Sequence, residues 1–313
     1  MKIITRILTT AAFLAVPVLS HAQTQGFAMQ SSRIELSPAA LGMGGAGLLS
    51  TSSIAWGSYG NIAALPFSDL KGDAQVSYNN WGPSSTSYYS GAAGFNFKNK
   101  IGLSAGFSAG SGKAFEMFDD NGNTQGEFAP RNMRGNLGFS WRFIKWVSIG
   151  ANISYHSETL LEGSSRKQIM SDVFLMGEFN GIRASAGVRK IGETVADSKE
   201  NIFSPASSAV AAIGYAKDFG KNRIEAEADM DYFFSGGVTE ASAPFSVSVG
   251  AAYTYNDMVA VRGGYHTGGV IGNFASLGLG LKFYGVRLDA AFLLAGSGSP
   301  MNKTLGVGLG YCF

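Results

Sequence analysis

The chain holds one cysteine, Cys312, so it can form neither an internal disulfide nor a thiolate zinc centre. Charge is sparse as well, at 15% of 313 residues. Its 24 basic and 22 acidic residues nearly cancel, and removal of Lys2 and Arg6 with a leader would bring both signs to 22. A polyanion such as nucleic acid is therefore not an expected partner. Histidine is limited to His21, His156 and His266, and neither a metal nor an organic cofactor is expected. Beyond residue 22 no apolar run approaches the roughly 20 residues that a transmembrane helix requires. Helices are thus excluded as membrane-crossing elements of the mature chain, and strands must carry the fold.

What is present begins with an export signal. Lys2 and Arg6 precede an apolar stretch from Ile7 to Leu19, and the small-residue site Ser20-His21-Ala22 follows. This predicts a secretory signal peptide over 1–22, with Gln23 opening the mature chain. An oxidising compartment leaves Cys312 as a lone thiol, read as a small packing residue.

Glycine is abundant, at 43 residues, and aromatics make up 12%. From residue 72 onward, segments of about ten residues alternate apolar with polar or small side chains, the period-2 signature of a sheet with two unlike faces. In 275–283, Ala275, Leu277, Leu279, Leu281 and Phe283 share one face, while Ser276, Gly278, Gly280 and Lys282 share the other. The segments 245–256 and 305–313 repeat the pattern. Fourteen segments can be delimited: 72–80, 87–97, 101–110, 131–142, 146–156, 168–179, 182–190, 206–218, 222–233, 244–256, 258–267, 273–284, 285–296 and 303–313. Six tight connections, near Asn99, Lys145, Gly181, Gly220, Asp257 and Gly285, alternate with seven longer ones, of which 111–130 is the longest. An even strand count with short turns on one side and long loops on the other predicts an all-β fold, an antiparallel transmembrane barrel over 72–313 in the outer membrane of a Gram-negative cell. Turns then face the periplasm, and so do both termini. Trp141, Phe143, Trp146, Phe179, Phe219, Tyr255, Phe283 and Phe313 gather near the short turns, where an interfacial girdle belongs. Membrane lipid and the barrel assembly machinery are the partners this class implies, with Phe313 as the assembly signal.

Inward positions carry Arg134, Arg142, Arg183, Arg189, Arg262, Lys282 and Arg287, opposed by Asp172, Glu178, Asp289 and the row Glu225, Glu227, Asp229, Asp231. A salt-bridged lumen is the expectation, with a polar path or docking surface as the functional alternative. The many inward Gly, Ala and Ser residues leave room for an occupant. Residues 23–71 show no alternation and are predicted to form an N-terminal hatch inside the lumen. Its stretch Leu41-Gly42-Met43-Gly44-Gly45-Ala46-Gly47 formally contains G-x-G-x-x-G, but no strand precedes it and no βα units follow, so close backbone packing is the better reading. Gly42, Met43, Gly44, Gly45, Gly47, Leu48, Trp56 and Asn61 are the candidate ligand-lining residues of this hatch, with Leu49 and Ile54 beside them.

The run Ala39-Ala40-Leu41-Gly42-Met43-Gly44-Gly45-Ala46-Gly47, followed by the Asn-x-Ala-x-Leu element at Asn61–Leu65, resembles the N-terminal signature of the PorV/PorQ family, itself similar to FadL-type fatty-acid channels. Val261-Arg262-Gly263-Gly264-Tyr265, Leu277-Gly278-Leu279-Gly280-Leu281, Leu288-Asp289-Ala290-Ala291 and Leu309-Gly310-Tyr311-Cys312-Phe313 extend the resemblance to the C-terminal third. Where the family usually has Asn-Pro-Ala, this chain has Asn61-Ile62-Ala63. The resemblance implies a fourteen-stranded barrel with a hatch and two alternative roles. One is docking or shuttling of exported proteins with type IX secretion components; the other is a FadL-like channel for hydrophobic small molecules.

A rim-sited hydrolase is a third reading, resting on His156, His266 and Asp231 at strand ends beside the long loops. The chain is read as a non-enzyme, because those strands are separated around the wall. Asp119-Asp120-Asn121-Gly122-Asn123 lacks the spacing of a calcium loop and is read as a turn. Tyr88-Tyr89 and the Phe115/Phe118 pair are aromatics at the outer mouth to which girdle and loop packing are assigned.

Overall fold

A computed structural model describes residues 27–82, 85–119, 121–161, 164–196, 202–234, 244–269, 271–297, 299 and 301–313. The predicted signal peptide lies outside the described residues. Among these residues no helix is long and apolar enough to cross a membrane. Fourteen antiparallel strands close into one barrel instead. They are β1 (Gly72–Trp81), β2 (Thr86–Phe97), β3 (Ile101–Ser111), β4 (Arg131–Ile144), β5 (Val147–Leu161), β6 (Ser164–Phe179) and β7 (Ile182–Gly192). The second half comprises β8 (Ser208–Phe219), β9 (Asn222–Phe233), β10 (Phe245–Tyr255), β11 (Val259–Gly268), β12 (Phe274–Phe283), β13 (Val286–Ala295) and β14 (Leu305–Cys312). Closure is made by β14 against β1, with Leu309 opposite Val76 and Cys312 opposite Asp73. In hydrocarbon a sheet with free edges would leave its backbone unsatisfied, and closure removes the edges.

All fourteen predicted strands are present. The alternation also points the way it was read: Leu277, Leu279, Leu281 and Phe283 are exposed on the outer surface, while Ser276 is buried. Four of the short turns, at Lys98-Asn99, Asn180-Gly181, Asn256-Asp257 and Tyr284-Gly285, have two successive positive-φ residues. That backbone twists with the flanking strands and suits tight hairpins.

Three features depart from the expectation. Residues 157–167, read as loop, largely extend β5 and β6, which pair from Val147–Gly177 up to Leu161–Ser164. The alternation of apolar with polar residues fails there because the outward positions Ser157, Thr159, Ser165 and Lys167 are polar too, while the inward Glu158 is buried and accepts from Ser31 N at 3.0 Å. Within 111–130, Phe115–Phe118 pairs with Thr124–Phe128 as a separate hairpin. Finally, Phe27–Ala28 runs parallel to Ile202–Pro205, which lies in the long connection between β7 and β8. The described chain thus enters on the loop side, whereas Phe313 pairs with Gly72 on the turn side. The described hatch thus runs through the lumen from the loop side to the turn side.

A barrel of eight strands is filled by its own side chains, and one of fourteen is not. Residues 29–70 take up that space. Ser37 accepts from Ala40 N at 3.4 Å and Pro38 opens the short helix Pro38–Leu41, a local start signal written in sequence. A second element, the 3-10 helix Ile62–Phe67, is capped by Asn61.

Candidate functional site: the hatch and the cavities around it

The hatch is folded into two lobes that press on different parts of the wall. The helix Pro38–Leu41 packs on β12, β13 and β14, while the 3-10 helices Ala55–Ser58 and Ile62–Phe67 pack on β1 to β6. The wall meets it with glycine. A Cβ on Gly264 would stand 2.0 Å from the Met43 carbonyl carbon, one on Gly278 2.8 Å from Gly42 Cα, and one on Gly94 2.1 Å from the Ile54 carbonyl oxygen. Inward glycines therefore form a mould for the hatch backbone. Gly44 contributes from the other side, with φ of +74° and its own Cβ position 2.5 Å from Tyr265 N.

Polar wall residues then satisfy the hatch's backbone. Asp229 Oδ2 accepts from the amides of Gly47 and Leu48 at 2.9 and 3.2 Å, and Glu227 Oε1 accepts from Leu49 N at 2.7 Å. Asp73 Oδ2 does the same for Ile54 and Ala55 at 3.0 and 3.2 Å. Arg287 donates to Ser52 O at 2.6 Å, and Arg142 to Pro66 O at 3.2 Å. Arg134 lies over the Tyr59 ring, 4.5 Å from its centre, and reaches Ser32 O. A buried amide without a partner costs several kcal/mol in an apolar setting, so these bonds decide where an irregular segment can lie.

The lumen charges therefore have two roles. Arg262 and Arg287 pair with Asp289 at 2.8 and 2.5 Å, and Glu225 pairs with Arg223 and Arg183 at 2.9 and 3.5 Å, as a salt-bridged interior requires. Glu227, Asp229, Arg134 and Arg142 hold the hatch, Arg287 and Arg183 do both by reaching Ser52 O and Leu49 O, and Asp231 accepts from Ser208 Oγ at 2.9 Å. Sequence reasoning had no way to tell these roles apart, because the hatch partners lie up to 235 positions away. It also passed over Asp73, whose only local sign is an acid on an inward position of β1.

Three spaces are stacked along the β8–β9 wall. On the loop side a cavity of about 90 Å³ is bordered by Arg33, Arg134, Arg189 and Lys190 on one side and by Trp81, Ile271, Phe274 and Met301 on another. Between the hatch lobes lies a second cavity of about 70 Å³, bounded by Met43, Leu49, Trp56, Asn61, Glu227 and Arg262 among others. On the turn side the lumen opens into a vestibule of about 1010 Å³ lined by charged residues including Arg183, Asp218, Glu225, Lys282 and Arg287.

Of the eight predicted hatch residues, Met43, Gly47, Trp56 and Asn61 border the middle cavity. Gly45 borders the loop-side one. Gly42 and Gly44 face wall backbone, and Leu48 is packed with Leu49, Phe174 and Val210. Asn61 is the hinge of the arrangement. Its Nδ2 donates to Leu48 O at 2.8 Å and to Ser185 Oγ at 2.9 Å, and its Oδ1 accepts from Ala63 N at 3.0 Å. Trp56 Nε1 donates to Gln75 Oε1 at 2.9 Å, which fixes its indole against the cavity.

The residues of the hydrolase reading are not at an open rim. His156 is fully buried with Nε2 3.0 Å from Ser154 Oγ, and His266 is buried on the Phe274 ring with Nδ1 2.8 Å from Ser248 Oγ. Asp119 Oδ1 accepts from the amides of Asn121 and Asn123 at 2.9 and 2.8 Å, and Oδ2 from the Asn123 side chain at 3.0 Å. These bonds hold its carboxyl below the ordinary carboxylate range and make the segment a turn; Asp120 lies outside the described residues. Tyr88 and Tyr89 point to opposite faces, Tyr88 inward against Trp81 and Tyr89 outward against Tyr78. They are not a pair.

The fold has solved counterparts. The Pseudomonas putida toluene transporter TodX matches with a TM-score of 0.57 and 13% identity, over 92% of this chain and 98% of its own. The monoaromatic hydrocarbon channel CymD matches at 0.58 and 12%, over 89% and 97%, and a Pseudomonas aeruginosa FadL homologue at 0.55 and 12%, over 91% and 99%. The fold is that of the FadL-type outer-membrane barrels. No protein-family description matches the sequence, and no curated protein matches it either. The PorV/PorQ resemblance is thus borne out only at the level of this shared barrel.

Proposed function

We propose that this chain is an outer-membrane channel for small molecules that are hydrophobic or amphipathic, the FadL-like of the two roles drawn from sequence. The observation that carries the reading is the hatch itself, two lobes around a cavity bordered by Met43, Leu49, Trp56 and Leu65, rather than a solid plug. The fold shared with structures described as a toluene transporter and a monoaromatic hydrocarbon channel supports it. The turn side faces the periplasm in this reading and the loop side the exterior, as in bacterial barrels generally. Membrane lipid and the assembly machinery are its partners.

Uptake into proteoliposomes of small aromatic solutes that protein-free vesicles admit only slowly tests the channel directly: faster entry with the protein present is expected. The docking role with type IX secretion components draws no comparable support from the fold. Affinity purification from outer membrane separates the two. Recovery of exported proteins and secretion components, together with no solute uptake, would replace the channel reading by the docking one.

A further inference from the structure

The three spaces along the β8–β9 wall share borders. Glu35 lines both the loop-side cavity and the cavity between the lobes. Ser52, Arg183, Ala216 and Glu225 line both the middle cavity and the turn-side vestibule. The strand positions give the order along the barrel axis: Ser208 and Asp231 at the loop side, Gly214 and Glu227 at mid-height, Ala216 and Glu225 towards the turns. The opposite wall is in close contact with the hatch. Ile54, Tyr59, Ile62, Ala63 and Leu65 lie against Gly94, Gly102, Gly106, Gly138 and Gly150 there.

We propose that solute crosses between the two lobes of the hatch, past Glu35 and then past Ala216 and the Arg183–Glu225 pair into the vestibule, and that it is a small amphipath bearing an anionic group. The proposal rests on the channel reading and names its route and its substrate class. The class follows from the lining. The loop-side cavity sets Arg33, Arg134, Arg189 and Lys190 against two lining carboxylates, Glu35 and Asp231, and a third, Asp172, behind them with its Oδ2 3.5 Å from Lys190 Nζ, so cations outnumber anions at the entrance. Lys190 is brought there by the irregularity in β7 between Val188 and Ile191, where its φ is +56° and its amide donates to Asp172 at 2.7 Å. In the middle cavity Arg183 and Arg262 and the hydroxyls of Ser50, Ser52 and Ser53 stand beside Glu35, Glu225 and Glu227, and charged groups of both signs line the vestibule, so a polar substituent finds partners in each space. A bare hydrocarbon would strip water from these groups and return nothing to them.

Two narrow points follow. Glu35 partitions the loop-side and middle cavities, and its Oε1 is held by Ser37 N at 2.8 Å within its own lobe. Ala216 is a small buried residue at the second junction. Glu35→Ala should open the first, and Ala216→Leu should fill the second.

The probe is benzenesulfonate, which stays ionised and does not cross lipid unaided, with toluene alongside it in proteoliposomes. Benzenesulfonate entry is expected in the native protein, raised several-fold by E35A and lowered at least tenfold by A216L. A second measurement does not depend on those variants: with Ser52→Cys in a Cys312→Ser background, an anionic thiol reagent added on the loop side of a planar bilayer should lower conductance. Benzenesulfonate entry that neither variant alters, or an unchanged conductance, would overturn the route while the channel stands. Toluene entry faster than into protein-free vesicles, without benzenesulfonate entry, would overturn the substrate class alone. Entry of neither solute above the protein-free rate would remove the channel reading itself.

Discussion

Gly264 of the wall and Met43 of the hatch touch backbone to backbone, leaving no space for a Cβ between them. The contact joins β11 to a segment more than two hundred positions earlier in the chain. Gly264→Val should push the Met43–Leu48 region off the wall without breaking the barrel, because the site faces the lumen and the ladder of β11 is intact. Hydrogen exchange would show the amides of 43–49 losing protection while those of β10 to β12 keep theirs. Protection unchanged throughout would mean that the hatch is not held by this mould.

Asp229 is the second anchor. Its Oδ2 takes two hatch amides, and bonds to an ionised group contribute about 1.5–3 kcal/mol each. Asp229→Ala should therefore release the Gly47–Leu49 turn and lower unfolding stability by about 2 kcal/mol or more, measured by urea titration in lipid. Asp231 accepts from Ser208 and faces Arg33 and Arg189 instead, so Asp231→Ala should leave the Gly47–Leu49 turn in place.

Leu279 lies mid-strand in β12 and faces outward, while Gly278 beside it faces the hatch. Leu279→Arg should cost about 2–4 kcal/mol through the lipid face. Gly278→Ala should leave lipid insertion alone and act on the hatch, since the new methyl would meet Gly42. Folding yield into bilayers, compared with hatch protection by hydrogen exchange, separates the two effects.

Phe313 closes the chain on the turn side. Its backbone pairs with Gly72, its ring lies against the same glycine and meets Phe95 edge-on at 6.4 Å between ring centres. Deleting Phe313 removes an outward ring from the girdle and the last backbone bonds between β14 and β1. Reduced levels of folded barrel in the outer membrane are expected, read by heat-modifiable migration on gels. Normal levels would show that closure at β14–β1 does not require the terminal residue.

Strand number, strand faces and the two classes of connection were legible in sequence because a membrane imposes them locally. Each strand must show hydrocarbon one side and the lumen the other, so Leu277, Leu279 and Leu281 alternate with small or polar residues wherever lipid is present. At 157–167 the outward residues turn polar, the rule ends, and the far parts of β5 and β6 read as loop. The glycines and the acids of the lumen were visible too, yet their purpose was not. Gly264, Gly278 and Gly94 read as spare room, and Glu227 and Asp229 as members of a charge balance. Only the tertiary structure decided that they hold Met43, Gly42, Ile54 and the Gly47–Leu49 amides, because those contacts join residues far apart in the chain. The sequence by itself thus determined a barrel with an occupant, since alternation and small inward residues are short-range patterns. The division of the occupant into two lobes around a cavity is set by long-range hydrogen bonds and backbone contacts, which leave no periodic trace.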